Sequence, residues 1–137
     1  MTLYIQKFKP RVMGCFFNAA LYVAHFDPSA KYVEGVVERT YHYPNGRDQT
    51  VKIEHGWAAD KLGRVVEVTW AEKSLAPLGH EVSARTVVYV PKRAKTRSQL
   101  MRMKTFQRAY ADWVRTDKGK VFDAASELKR AKTFRLR

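Results

Sequence analysis

The chain has 137 residues, 45% of them hydrophobic and 12% aromatic, and a formal charge of +13. That length fits one domain with a real core, and such a composition excludes a disordered chain. A single cysteine excludes an internal disulfide and a cysteine-rich zinc site, and no apolar run reaches the roughly 18–20 residues that span a bilayer.

The first ten residues contain no signal-peptide core, which predicts a cytoplasmic protein. Charge is unevenly spread. From Lys92 onward 15 Lys/Arg stand against 4 Asp/Glu, a balance of +11, whereas residues 1–91 carry 11 and 9. The sequence thus divides into a nearly neutral body, 1–91, and a basic C-terminal extension, 92–137. Such asymmetry is a statement about partners, not about fold.

In chain order, residues 1–13 read as a first strand or extended arm interrupted by Pro10. Gly14 precedes a stretch, 15–26, in which Phe16, Ala19, Ala20 and Val23 recur at helical spacing before Asp27-Pro28 stops it. Cys15 then falls in the first helical turn, where unpaired N–H groups and the positive dipole end favour a thiolate. Residues 32–43 alternate as a strand, and Pro44-Asn45-Gly46-Arg47 is a strong hairpin turn. In the next strand, 49–58, Val51, Ile53, His55 and Trp57 share one face. Asp60 and Gly63 mark a turn, and 64–71 is β-branched enough for another strand. If Ala58 faces Arg64 across that loop, His55 stands directly opposite Glu67, with Cβ atoms roughly 4.5–5.5 Å apart. A loop over 75–80 and a last strand over 85–90, ended by Pro91, complete the body. The expected fold is α+β: one helix packed on a four- or five-stranded antiparallel sheet.

Residues 92–96 read as a short basic linker. Residues 97–115 have helical periodicity, with Leu100, Met103, Phe106, Tyr110, Trp113 and Val114 on one face and Arg97, Lys104, Arg108 and Arg115 roughly opposite. Lys118-Gly119-Lys120 breaks the pattern, and a last helix is expected over 121–131. The four cations, joined by Lys92, Arg93 and Lys95, are the candidate partner-binding residues. Their partner would be nucleic acid, or an acidic or nucleic-acid-bearing host protein complex, held through phosphates with little sequence preference. There is no helix-turn-helix, RNP or zinc-finger pattern. His25, His42 and His80 lack metal-ligand spacing, so neither a metal nor another cofactor is expected.

Cys15, His55 and Glu67 supply a nucleophile, a base and an orienting carboxylate in that chain order. Gly14-Cys15-Phe16-Phe17-Asn18-Ala19, Tyr32-Val33-Glu34-Gly35, His55-Gly56-Trp57 and Glu67-Val68-Thr69-Trp70 together resemble the core of the transglutaminase-like and papain-like cysteine superfamily. They are most similar to small phage-encoded proteins of that kind. The resemblance spans about residues 12–70. It implies a cysteine that opens a helix on an antiparallel sheet, with the histidine and the acidic residue on neighbouring strands. Carried over, Cys15 is the nucleophile, His55 the general base and Glu67 the orienter. The Cys15 backbone N–H, with the side chain of Gln6 or Asn18, would be the oxyanion donors. The superfamily more often has aspartate followed by proline where this chain has Glu67-Val68. The implied activity is that of a small hydrolase or acyltransferase acting on an amide or ester and docked on its target by the basic face. The alternative is a non-catalytic host-interference protein, anti-defence or anti-CRISPR in kind, that binds a host ribonucleoprotein or nucleic acid. Plainer readings exist for each residue: a packed small hydrophobe for Cys15, a core histidine for His55, a lysine's partner for Glu67.

Overall fold

The two longest alternating stretches of the sequence pair with each other. β2 (Lys31–His42) and β3 (Asp48–Ala59) form an antiparallel hairpin in unbroken register from Lys31↔Ala59 to His42↔Asp48. The computed structural model describes residues 2–4, 14–70 and 84–116. Within them β1 (Thr2–Tyr4), β4 (Val65–Glu67) and β5 (Ala84–Thr96) complete a five-stranded sheet in the order β1-β4-β3-β2-β5. The arrangement is α+β, but the sheet is mixed, because β1 runs parallel to β4. The expectation of a wholly antiparallel sheet is corrected by that one pairing.

β5 does not stop at Pro91. It continues through the expected linker to Thr96, pairing with β2 down to Lys31↔Thr96. Pro91 is tolerated because β5 is an edge strand, where a missing N–H need not cost a ladder bond. A register shift between Glu34 and Gly35 leaves Lys92 as the extra residue of a bulge.

The helices lie on one side of this sheet. α1 (Cys15–Leu21) runs on into a π-helical turn over Tyr22–Phe26, closed by the Asp27 N–H donating to the Tyr22 carbonyl at 2.8 Å. The helix expected over 97–115 is two helices, α2 (Arg97–Met101) and α3 (Lys104–Thr116). Thr96 and Gln99 cap α2 reciprocally, and the Arg102 and Met103 N–H groups close short turns onto the Gln99 and Leu100 carbonyls. The loop expected over 75–80 and the helix expected over 121–131 lie outside the described residues. No helix among the described residues is long and apolar enough to cross a membrane.

One core joins these pieces: Phe17, Leu21 and Val23 from the first helix, Tyr32, Ala58 and Val66 from the sheet, and Leu100, Phe106 and Trp113 from α2 and α3. A Cβ on Gly56 would press on Phe16, so α1 lies directly over β3 at that point. The opposite face carries a second cluster of Val33, Val37 and Trp57, with Trp70 and Tyr89 against it. Phe106 is fully buried in the first cluster. We therefore expect Phe106→Ala to destabilise the whole fold by about 3–5 kcal/mol in urea unfolding. A loss below about 1 kcal/mol would show that α3 is only loosely attached to the sheet.

Candidate catalytic site

β4 pairs with β3 at two positions, Ala58↔Val66 and Ala59↔Val65, and then leaves it. The expected pairing of Ala58 with Arg64 is therefore wrong by two residues. Asp60 and Arg64 close the loop more tightly: the Asp60 N–H donates to the Arg64 carbonyl, and the Asp60 carboxylate accepts from Leu62 N–H, Arg64 N–H and the Arg64 guanidinium. A slip of two residues preserves the face on which every side chain sits. Glu67 thus becomes a diagonal neighbour of His55 on the same side, and the two side chains still meet, His55 Nε2 to Glu67 Oε1 at 2.7 Å.

Four donors converge on Glu67. Oε1 accepts from His55 Nε2 and from the Tyr89 hydroxyl at 2.8 Å, while Oε2 accepts from the backbone N–H groups of Thr69 at 3.0 Å and Trp70 at 3.1 Å. Burial pushes the Glu67 carboxyl up, but the hydrogen bond and charge of His55 and the Trp70 and Thr69 N–H groups outweigh it, and the net direction is down. The group is an anion. An ionised acceptor at Nε2 fixes a proton on that nitrogen, so that in the neutral imidazole the lone pair is on Nδ1. Nδ1 is buried and has no hydrogen-bond partner among the described residues. The imidazole lies flat on Trp70, ring centroids 3.5 Å apart and planes 7° from parallel. Burial and the Glu67 charge both push the Tyr89 hydroxyl well up, so it stays protonated and donating.

Cys15 opens α1 directly after Gly14, as expected. Successive strand side chains alternate, so with Gly56 turned to α1, His55 and Trp57 leave β3 on the other side. The Cys15 sulfur takes a hydrogen bond from the Gly56 backbone. Gly56 is one residue along from His55 and lies beyond the two β3–β4 pairs. Cys15 and His55 thus meet the same strand at consecutive residues but from opposite faces, and no hydrogen bond joins them. The low thiol pKa expected from the helix start is not found. Burial pushes the thiol up to about 11, the Gly56 backbone lowers it in part, and the Glu67 charge raises it further. No side chain caps the helix start, and the loss of solvent outweighs what its first turn offers the thiolate. We expect the iodoacetamide alkylation rate of Cys15 to rise with a midpoint well above the free-thiol value of about 8.5. A midpoint below that value would mean that the thiol is activated after all.

Asn18 is buried and its amide donates to the Thr69 hydroxyl at 3.1 Å, tying α1 to the turn that carries Glu67. The Asn18 Oδ1 is buried with no hydrogen-bond partner among the described residues. Gln6 lies outside them. Among the basic residues, Lys92 and Arg93 are exposed and Lys95 half-exposed on β5, with Arg93 opposite Glu34. Arg97 is not part of the α3 arc. It belongs to α2, and its Nε donates to the Ala24 carbonyl at 2.9 Å, stapling α2 to the first helix. Lys104, Arg108 and Arg115 are exposed and lie within roughly 40° of one another at 100° per residue. Arg115 is bridged to Asp112 at 2.7 Å.

Sequence reasoning missed Tyr89, Trp70 as the stacking platform, and Arg39, whose guanidinium carbon lies 4.2 Å from the Trp70 ring centroid. Thr69-Trp70 had a motif signal but no assigned role, and Tyr89 and Arg39 had none. Among the described residues no group of three His, Cys, Asp or Glu side chains could hold a metal ion. Compared with protein-family models, curated proteins and solved structures, the chain finds no match.

Proposed function

We propose that the chain is a small transglutaminase/papain-like cysteine hydrolase or acyltransferase of the phage type. It would act in the cytoplasm on an amide or ester, through Cys15, His55 and Glu67. The observation that carries this reading is the pairing of buried His55 Nε2 with an ionised Glu67, which leaves Nδ1 unpartnered on the strand residue next to Gly56, whose backbone bonds the Cys15 sulfur. Since the thiol rests protonated, the chemistry is general-base catalysis and not attack by a preformed thiolate. As the sulfur attacks the acyl carbon, its proton passes to Nδ1, and Glu67 stabilises the imidazolium. The Cys15 N–H steadies the developing oxyanion. The leaving amine or alcohol takes the proton back from His55. Water or an acceptor amine then attacks the thioester, losing a proton to the same nitrogen, and the thiol is restored.

Incubation with p-nitrophenyl acetate and mass mapping tests this. An acetyl adduct on Cys15, absent from Cys15→Ala, is the expected result. A wild-type protein that carries no adduct there overturns it.

A second reading is favoured by the raised thiol and the exposed arc of Lys104, Arg108 and Arg115. In it the protein binds nucleic acid, or a host complex bearing it, without turnover, and Cys15→Ala leaves its biological effect intact. Binding through this arc should weaken linearly on a log–log plot against salt, each neutralised phosphate contributing a slope of about −0.9 on duplex DNA. Lys104→Glu/Arg108→Glu should flatten that slope. No binding to RNA or DNA at low salt would remove nucleic acid as the partner of this face.

A further inference from the structure

His42 ends β2 at the tip of the β2–β3 hairpin, and a strand lies on each side of it. On β3 it stands directly opposite Asp48, and its Nδ1 meets Asp48 Oδ1 at 2.8 Å. On β5 the residue opposite Thr40 is Thr86, which makes Thr86 the diagonal neighbour of His42 on the same face. His42 Nε2 meets Thr86 Oγ1 at 3.1 Å. A carboxylate oxygen only accepts, so Nδ1 carries its hydrogen toward Asp48 and Nε2 turns its lone pair to Thr86, whose hydroxyl donates. Carboxylate, imidazole and hydroxyl thus stand in line across three neighbouring strands, in the order that activates a nucleophile.

Two further observations point to a ligand. Unlike Cys15, Thr86 and Asp48 are exposed and His42 is half-exposed, so a substrate reaches the hydroxyl without opening the core. Asp48 also lines a cleft of about 480 Å³ at the hairpin tip, with Tyr43, Asn45, Arg47 and Gln49. Phenol, amides and guanidinium make that lining polar, which suits a short polar acyl group and offers an apolar chain little. Among the described residues β5 is an outer strand, along which successive N–H groups turn alternately toward β2 and away from it. One of the Thr86 and Val87 N–H groups therefore points away from β2, where a developing oxyanion beside Oγ1 can take it.

We propose that Thr86, His42 and Asp48 form a second acyl-transfer site, which hydrolyses esters of short polar acids. It shares no residue with Cys15, His55 and Glu67, so either site can fail alone. Thr86 Oγ1 bonds to the acyl carbon as its proton passes to His42 Nε2, and the alcohol leaves with that proton. Water then attacks the acyl-threonine and gives a proton to Nε2. The acid departs as Thr86 takes that proton back. Asp48 is the positioning residue that holds the tautomer.

Diisopropyl fluorophosphate, which phosphorylates activated hydroxyls, tests the relay on the full chain. Thr86 Oγ1 bonds to phosphorus, fluoride leaves, and the hydroxyl proton passes through His42 to solvent. Mass mapping should find the diisopropylphosphoryl group on Thr86. His42→Gln should slow its formation at least about 100-fold, the lower bound for a lost general base. Asp48→Asn should slow it about tenfold through the tautomer. Thr86→Ser should keep the reaction and Thr86→Val should lose it, with circular dichroism unchanged in all four variants. No adduct on wild-type Thr86, an adduct on Tyr43 in its place, or equal rates in wild type and His42→Gln overturns the second site. The ester hydrolysis lost on Thr86→Val should be about tenfold greater for p-nitrophenyl methoxyacetate than for p-nitrophenyl hexanoate, the size of one hydrogen bond in the cleft. An equal or reversed order overturns the polar substrate class.

Discussion

Replacing Glu67 with glutamine should slow acylation of Cys15 about 1,000-fold, the scale on which a mis-set imidazole tautomer acts. The reason lies in the donor count. Both carboxylate oxygens accept two hydrogen bonds each, and every partner is a donor. An amide nitrogen in place of Oε2 would point its hydrogens at the Thr69 and Trp70 N–H groups. In place of Oε1 it would face the Tyr89 hydroxyl and donate to His55 Nε2, moving the imidazole proton to Nδ1 and occupying the base. Either placement leaves buried donors unmatched, so the same variant should also lose about 3 kcal/mol of stability in urea. Full stability loss with unchanged acylation would mean that the dyad is purely structural. The wild-type protein carries a matching pH signature. Because the folded carboxyl lies below its unfolded value of about 4.3, its contribution is complete above that pH. It is lost as pH falls through the folded value. Glu67→Gln should flatten this acid limb of the stability curve.

Gly35→Val should prevent folding altogether. A Cβ on residue 35 would overlap the Val90 carbonyl oxygen on β5 and lie 2.7 Å from the Trp57 ring. Neither neighbour can give way. One is backbone in the ladder between β2 and β5, and the other is a buried indole that packs edge-on against Tyr89. The expected cost exceeds about 4 kcal/mol, beyond ordinary overpacking and a large share of the stability of a small domain. Gly63→Ala is the control. It sits at φ +81 with nothing within 4 Å of a new Cβ, so only backbone strain of about 1 kcal/mol applies. Far-UV circular dichroism and urea titration separate the two. A folded Gly35→Val protein would show that β5 can move off β2 at the bulge.

What the sequence made legible was local. The β2–β3 hairpin follows from period-two alternation and from Asn45-Gly46 at the turn, both readable within a dozen residues. The partnership of His55 and Glu67 was readable too, since the two-residue error in register left their shared face unchanged. What stayed hidden depended on neighbours distant in sequence. β4 is short because the Glu67 carboxylate takes the Thr69 and Trp70 N–H groups that would otherwise continue the ladder. Pro91 looked like a strand stop because edge position is a property of the whole sheet. The rise of the Cys15 pKa reflects burial under packed side chains, whereas the helix start next to Gly14 suggested the opposite. Arg39 and Tyr89 gave no signal, because each gains its role only through a ring or carboxylate on another strand.

The irregularity in β5 has a consequence for how copies of this protein meet. A five-stranded sheet ends in two outer strands, and each is a template on which another chain can add. Among the described residues, one flank is β1, three residues long. On the other the template is long, but Pro91 offers no N–H, the bulge at Lys92 throws the repeat out of step, and Arg93 and Lys95 bring like charges to any second copy. Polymerisation edge to edge is thereby discouraged in a chain whose β-branched run Thr86-Val87-Val88 would otherwise invite it.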